Sequence, residues 1–158
     1  MKFSDEFKIS RHESEDWFDP VLSIDTPLFI DPFLIYRQEE GIFRGSHKDI
    51  IDFFNAQFQQ IAESGGDPRS SLYWKAVNSL RFPEVSELCL GYTATGTRGS
   101  GSSLGLGKII ANALWEAIQA GITHIRHFEE ISLIREGFGA DRISDMTAGI
   151  IRNRLAQC

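Results

Sequence analysis

The clearest helical pattern in the chain is SHKDIIDFFNAQFQQIAES, at residues 46–64. Apolar side chains recur in it at every third or fourth position, which is the period of an amphipathic helix. These side chains are Ile51, Phe54, Phe58 and Ile61, with Ile50, Phe53 and Ala62 widening the apolar stripe. Ser46 and Asp49 resemble a capping box in which Asp stands in the place of Glu or Gln. Because two glycines follow Ser64, the stretch predicts a helix over the whole range.

Three further segments of the chain show the same helical period. The first begins near Ser70 or Ser71 and ends before Pro83, the second runs from between Gly105 and Lys108 to Gln119, and the third runs from Asp141 or Ser144 to Gln157. Gly121 is placed to end the second of these helices, because glycine readily adopts the left-handed conformation found after helix ends. A shorter helix is expected at residues 127–134, and a helical turn at residues 32–36.

Short extended segments are expected between the helices. Prolines disfavour helix at the residues before them, and the apolar residues 27–30 are consistent with a buried strand. The patterns at residues 85–92 and 122–125 also predict strands, and we expect the strands near 21–30 and 85–92 to pair. The sequence therefore predicts a mixed α+β fold that is mainly helical, with at least four helices packed on a small sheet of about three to four short strands.

Length and composition are those of an ordinary globular protein. The 158 residues fit a single globular domain over residues 1–158, or the N-terminal part of a longer parent chain, because the last helical pattern runs into the C-terminus without a cap. The formal net charge of −6 disfavours nucleic acid as a partner, since binding phosphates requires clustered Lys and Arg. Two cysteines without CxxC spacing, and the lack of a signal-peptide pattern or long apolar run, predict a cytoplasmic protein without membrane partners.

A loop rich in glycine and serine at residues 93–107 is the first candidate site. It lies between a predicted strand and a predicted helix, an order in which backbone N–H groups often bind phosphate. No nucleotide motif is complete: Ser102 and Ile109 break a Walker A pattern around Lys108, and a leucine replaces the third glycine of a dinucleotide fingerprint. The loop therefore predicts either a generic anion-binding site or an ordinary surface loop. The anion-binding candidates are Arg98, Ser100, Gly101, Ser102, Ser103 and Lys108.

The densest group of reactive side chains lies at residues 137–147, where a glycine-rich turn leads into the last helix. Asp141 and Asp145 are four residues apart and share a helical face, where their oxygens suit Mg²⁺ or Mn²⁺. Such an ion activates water and stabilises a phosphoryl transition state, with Arg142 as a counter-charge. An aspartate of the N-terminal strand would add a further ligand. The predicted catalytic residues are therefore Asp31, Asp141, Arg142 and Asp145, and the predicted metal ligands are Asp25, Asp31, Asp141 and Asp145.

Capping and packing are the competing explanations for several of these residues. Asp141 or Ser144 is well placed as the N-cap of the last helix, and Asp31 as the N-cap of the helical turn after it. His124 and His127 form a His-x-x-His pair, which differs from the His-Glu-x-x-His spacing of zinc enzymes. We expect one of the two histidines to be structural and the other to face solvent.

Two functions fit these patterns, and the sequence leaves both open. The first is a metal-dependent phosphoester hydrolase or nuclease-like domain that uses Mg²⁺ or Mn²⁺ at the carboxylates named above. The second is a non-catalytic module that binds another protein or a missing C-terminal region of a longer chain. A large exposed apolar patch on the structure, especially beside the last helix, would favour the second function.

Overall fold

The computed structural model describes residues 1–10, 19–22, 24, 28–38, 40–83, 103–127, 130 and 139–155. Within these residues the chain forms six α-helices. They are α1 (Phe3–Glu6), α2 (Pro32–Tyr36), α3 (Ser46–Ser64), α4 (Ser71–Ser79), α5 (Ser103–Gln119) and α6 (Ala140–Leu155). Contacts divide the chain into two compact units, the first containing α1 and the second containing α2 to α6. The prediction of one domain over residues 1–158 stays a prediction.

The described part of the first unit is organised around the short helix α1. Lys2, which precedes α1, forms an isolated antiparallel bridge with Val21. The carboxylate of Asp19 accepts two hydrogen bonds from Ser4, one from its backbone N–H at 2.9 Å and one from its hydroxyl at 2.7 Å. Asp19 therefore satisfies an N–H group in the first turn of α1 that has no partner within the helix.

The predicted α+β fold is wrong, because the described residues contain helices and no strand or sheet. Residues 28–30 do not form the predicted strand; the backbone N–H of Ile30 donates instead to the hydroxyl of Ser144 on α6, at 2.8 Å. Residues 122–125 are also irregular, and the side chain of Asn55 binds both backbone groups of Ile125. In both segments, a helix side chain thus forms the backbone hydrogen bonds that a neighbouring strand would otherwise form. The strand predicted at 85–92 lies outside the described residues.

The helix predicted at residues 46–64 is confirmed, and its apolar face forms the centre of the core in the second unit. Helices α2, α4, α5 and α6 all pack against it. Its fully buried apolar side chains are Ile50, Phe54 and Ile61. They belong to a core completed by Val77, Leu80, Ile110, Leu114, Met146 and Ile151. Since α3 contacts every other described helix of this unit, the periodic stretch is the element around which those helices are arranged.

The start of α3 differs from the predicted capping box. The N-cap residue is Gly45, whose φ of +79° lies in the left-handed region, and Ser46 is already the first helical residue. Asp49 does not bind the start of the helix, because its carboxylate accepts a hydrogen bond of 2.6 Å from Arg154 of α6. This hydrogen bond raises the pKa of Arg154 above its ordinary value. The acidic residue in the first turn therefore joins α3 to α6.

Close approach of α4 and α5 depends on a glycine. A Cβ atom at Gly107 would lie 2.4 Å from the backbone oxygen of Val77, a distance at which the backbone has to move. Gly107 is thus required by helix packing. The buried face of α5 carries Ile110, Ala113, Leu114 and Ala117.

Helix α6 begins at Ala140 and is described to Leu155. Met146, Thr147 and Ile151 are buried and form its inward face. The short helix predicted at 127–134 lies outside the described residues except for His127 and Glu130. Among the described helices, none combines the length and the apolar character needed to cross a membrane.

Candidate functional site

Helix α2 is short, and its sequence explains both ends. Asp31 is its N-cap, with Oδ1 accepting a hydrogen bond of 2.8 Å from the backbone N–H of Phe33. Pro32 follows at the first helical position, where its missing N–H is not needed. The capping explanation for Asp31 is therefore confirmed. Pro32 and Ile35 are buried against the rest of the unit, which fixes the opposite side of α2 towards solvent.

That solvent side of α2 is apolar. Phe33 is 49% exposed, Leu34 is 65% exposed and Tyr36 is 47% exposed. At about 100° per residue, these three positions cover an arc of about 160° around the helix. Pro32 and Ile35 face the core, so the other three residues of α2 lie on the side that faces away from it. We refer to Phe33, Leu34 and Tyr36 as the α2 surface.

Charged residues lie at both ends of the α2 surface. Asp31 is at its N-terminal end and Arg37, the C-cap residue, is at its C-terminal end. The guanidinium carbon of Arg37 lies 5.4 Å from the centre of the Phe33 ring, in a cation–π contact. Stacking of this kind leaves the edge of the planar guanidinium able to donate to a carboxylate.

Two histidines contact the third residue of the α2 surface. The ring of His47, in the first turn of α3, lies edge-to-face with Tyr36 at 4.4 Å between centres. The ring of His127 lies edge-to-face with Tyr36 at 6.0 Å, and the two imidazole centres are 6.2 Å apart. We refer to His47 and His127 as the histidine pair.

The segment that contains His127 is fixed to α3 by Asn55. The carboxamide of Asn55 accepts a hydrogen bond from Ile125 N–H at 2.8 Å and donates one to Ile125 C=O at 3.0 Å. Ile125 is itself buried. Because Asn55 and His47 belong to the same helix, this double hydrogen bond positions His127 relative to His47.

His124 has a different role from His127. Its Nδ1 is 3.0 Å from the Thr123 hydroxyl, and its Nε2 accepts a hydrogen bond of 2.9 Å from Arg126. Both of its ring nitrogens are therefore engaged within the segment. His124 is exposed, as is His127.

The polar stretch at the start of α6 separates into an inner and an outer part. Ser144 and Thr147 are buried: the Ser144 hydroxyl accepts from Ile30 N–H, and the Thr147 hydroxyl donates to a backbone oxygen one turn earlier, at 2.7 Å. Asp141 and Arg142 are exposed in the first turn, and Asp145 is half-buried. The predicted N-caps Asp141 and Ser144 are wrong, because both lie within a helix that begins at Ala140. The two hydroxyls are structural.

The carboxylates predicted to bind a metal are only partly described. Asp25 lies outside the described residues, and one oxygen of Asp31 is used in capping. In the part of the chain that the structure describes, no three His, Cys, Asp or Glu side chains are grouped so as to hold a metal ion. Metal binding at Asp31, Asp141 and Asp145 stays a prediction.

The candidate anion site is described only at its C-terminal end. Arg98, Ser100, Gly101 and Ser102 lie outside the described residues, and Ser103 is the first residue of α5. Lys108 is exposed on α5, with its ammonium 5.0 Å from the centre of the Trp74 ring on α4. That cation–π contact gives Lys108 a partner within the fold.

An open cleft of about 660 Å³ lies beside the C-terminal end of α5. Its polar lining includes Glu116, His124, Arg126 and Glu130. Glu130 accepts a hydrogen bond from the backbone N–H of Arg126 at 3.1 Å, so part of this polar lining is satisfied internally.

Sequence reasoning identified the Asp31 cap but missed the α2 surface and the histidine pair. A signal for the surface was present, since residues 33–36 are four consecutive apolar residues in a five-residue helix that can bury only one side. No local signal connects His47 with His127, because their contact depends on the position of the segment held by Asn55.

No curated protein and no solved structure matches the chain. A protein-family model, described as Domain of unknown function (DUF8370), matches residues 8–157. Because this match spans almost all of the 158 residues, the chain belongs to that family. The family's description names no activity and so favours neither of the predicted functions.

Proposed function

We propose that this member of the DUF8370 family is a protein-interaction module that binds a second copy of itself through the α2 surface. The two copies of α2 run antiparallel about a twofold axis near Leu34. The observation that supports this arrangement is that the oppositely charged residues Asp31 and Arg37 lie at equal distances along the sequence from an exposed apolar centre.

Apolar exposure on α2 has the size expected of a weak interface. Side chains of this kind have an accessible area of about 150–250 Å², so their exposed fractions correspond to about 300 Å² for the α2 surface. Patches of this size on monomers are often functional. A standard interface buries about 800 Å² per partner, so residues around α2 complete the contact and the dimer is weak. We expect a dissociation constant between about 10 µM and 1 mM.

Charge placement on α2 favours a second copy over an unrelated partner. Asp31 and Arg37 lie three positions before and three positions after Leu34, which is the most exposed residue of the helix. An antiparallel pair that crosses at Leu34 therefore brings each Asp31 to the same level along the helix axis as the Arg37 of the other copy. A twofold interface has to be self-complementary in this way.

Sedimentation velocity over a concentration series tests the proposal. The wild-type chain is expected to change from monomer to dimer with rising concentration. Leu34→Asp is expected to weaken dimerisation at least about tenfold, or about 1.4 kcal/mol, because it buries a carboxylate at the centre of the contact. Since Leu34 is exposed in the monomer, its folding stability should change by less than about 0.5 kcal/mol.

Charge variants test the antiparallel arrangement. Arg37→Glu is expected to weaken the dimer, because it places a carboxylate opposite the Asp31 carboxylate of the other copy. Adding Asp31→Asn removes that repulsion and keeps the N-cap, since Asn caps as well as Asp, so the double variant should recover part of the affinity. Lys75→Glu on α4 is the control, because it makes the same change in charge on a helix that does not pack against α2.

Two results would contradict the proposal. The first is a wild-type chain that is monomeric up to about 1 mM, the weak limit set above. The second is a dimer whose dissociation constant is the same in the wild type and in Leu34→Asp. Binding of an unrelated protein to the α2 surface of a monomeric chain would assign the surface to a different partner.

A further inference from the structure

The histidine pair brings together two metal-binding side chains from separate parts of the chain. His47 is in the first turn of α3, and His127 follows the segment that Asn55 fixes to the same helix. Their ring centres are 6.2 Å apart and their planes are inclined by 36°.

The separation of the two rings permits both to bind one ion. With a metal–nitrogen distance of about 2.1 Å and a ring nitrogen about 1.1 Å from its ring centre, two imidazoles can share an ion only when their centres are within about 6.5 Å. The observed 6.2 Å is inside this limit. A tetrahedral angle at the ion corresponds to about 5.3 Å, so closing onto an ion requires a relative movement of about 1 Å.

Tyr36 limits how the two imidazoles can move. Its ring is inclined by 74° to the His47 ring and by 78° to the His127 ring, so both contacts are edge-to-face. Both imidazoles are therefore placed against one aromatic ring before any ligand arrives. Preorganisation of this kind reduces the cost of ordering side chains on binding.

We propose that His47 and His127 form a binding site for a divalent transition-metal ion such as Zn²⁺ or Ni²⁺. Imidazole nitrogen suits these ions, whereas Mg²⁺ prefers oxygen ligands. Two imidazoles supply the protein ligands, and water completes the coordination. This site is separate from the carboxylate site predicted for Mg²⁺ or Mn²⁺, and it does not depend on dimerisation.

Isothermal titration of the metal-free chain with ZnCl₂ tests this site, with MgCl₂ as the hard-ion comparison. We expect one Zn²⁺ per chain and no measurable heat from Mg²⁺ binding at the same site. His47→Asn and His127→Asn should each weaken Zn²⁺ binding at least about tenfold, because each removes one of two ligands. His124→Asn should leave the affinity unchanged, because its ring nitrogens are engaged with Thr123 and Arg126.

Two further measurements distinguish loss of the metal site from unfolding of the variant and from loss of the dimer. Circular dichroism of each variant with EDTA present checks that the metal-free fold is retained, and His127→Gln replaces His127→Asn if that variant unfolds. The titration is repeated in Leu34→Asp, where the proposed dimer is weakened, and the same Zn²⁺ affinity is expected there. The proposed site is contradicted if Zn²⁺ does not bind or if only one of the two histidine variants weakens binding. It is also contradicted if His124→Asn weakens Zn²⁺ binding as much as His47→Asn and His127→Asn do.

Discussion

At the scale of single residues, Asn55 joins an irregular segment to the central helix by two hydrogen bonds. We predict that Asn55→Ala lowers the free energy of unfolding by about 2 kcal/mol, because it leaves the N–H and C=O of the buried Ile125 without their partner. Urea denaturation measures this loss. Gln59→Ala on the same helix is the control, since the Gln59 amide binds only the exposed Glu63 carboxylate in the described residues. Equal losses in the two variants would contradict the role given to Asn55.

We expect the contribution of Tyr73 to folding stability to depend on pH. Burial raises the pKa of its hydroxyl, which donates a hydrogen bond of 2.9 Å to Asn112. A group whose pKa is higher in the folded state contributes stability below its unfolded pKa of about 10, and that contribution is lost as the pH rises through the folded pKa. At neutral pH we expect Tyr73→Phe to be less stable by about 1 kcal/mol.

Above pH of about 10 the difference between wild type and Tyr73→Phe is expected to shrink, because only the wild-type chain loses a proton from residue 73 on unfolding. Thermal unfolding between pH 8 and 11, values chosen to bracket the ordinary tyrosine pKa of about 10, measures this. Stability curves that fall in parallel over this range would contradict the assignment of alkaline sensitivity to Tyr73.

Asp141 and Asp145 can be tested as metal ligands independently of the histidine pair. If they hold Mg²⁺ or Mn²⁺, as the hydrolase prediction requires, adding the ion raises the melting temperature of the wild type, since a ligand of the folded state stabilises it. Asp141→Asn with Asp145→Asn should then abolish that shift, and Asp52→Asn with Glu63→Gln should retain it. An unchanged wild-type melting temperature would remove the carboxylate site.

At the scale of elements, two glycines in helices lead to opposite predictions. Gly107→Ala should destabilise the fold by more than about 1 kcal/mol, because the new Cβ would lie 2.4 Å from the backbone of α4. Gly149→Ala on α6 should stabilise it by about 0.5–1 kcal/mol, because its Cβ would make an ordinary 3.4 Å contact with Phe82 and alanine favours helix. Denaturant unfolding checks both signs, and a stabilised Gly107→Ala would contradict the packing of α4 on α5.

The helices could be predicted from the sequence because their signals are local. The start of α4 shows this, since the hydroxyl of Ser70 accepts a hydrogen bond of 3.2 Å from Leu72 N–H, as its N-cap position predicts. The expected sheet could not be corrected from the sequence. Ile30 bonds to a hydroxyl 114 positions away and Ile125 to a carboxamide 70 positions away, and no local pattern reveals either partner. Short apolar runs do not by themselves specify a strand.

For the candidate sites, too, the sequence predicts local contacts but not contacts between distant residues. The Asp31 cap was predicted because the cap and its helix are adjacent in the chain. The contact of Tyr36 with both histidines depends on how α2, α3 and the segment before residue 128 pack, so it becomes visible only in the folded chain. The surplus polar groups at the start of α6 also needed the structure, which shows that Ser144 and Thr147 are buried and hydrogen-bonded.

For the molecule as a whole, we propose that the chain is a self-associating helical module. Its second unit has a core centred on α3, and α2 covers one side of that core while exposing apolar residues on its own outer side. Self-association would bury that outer side without requiring any further partner. The histidine pair beside Tyr36 would place a metal site at the edge of the same surface.

An isotope-filtered nuclear Overhauser experiment on an equal mixture of labelled and unlabelled chain tests directly whether two copies associate through the α2 surface. At a concentration above the measured dissociation constant, we predict cross-peaks between the Leu34 methyl groups of one copy and the Phe33 and Tyr36 rings of the other. A dimer that shows intermolecular cross-peaks only away from α2, or a chain that shows none at all, would contradict the account.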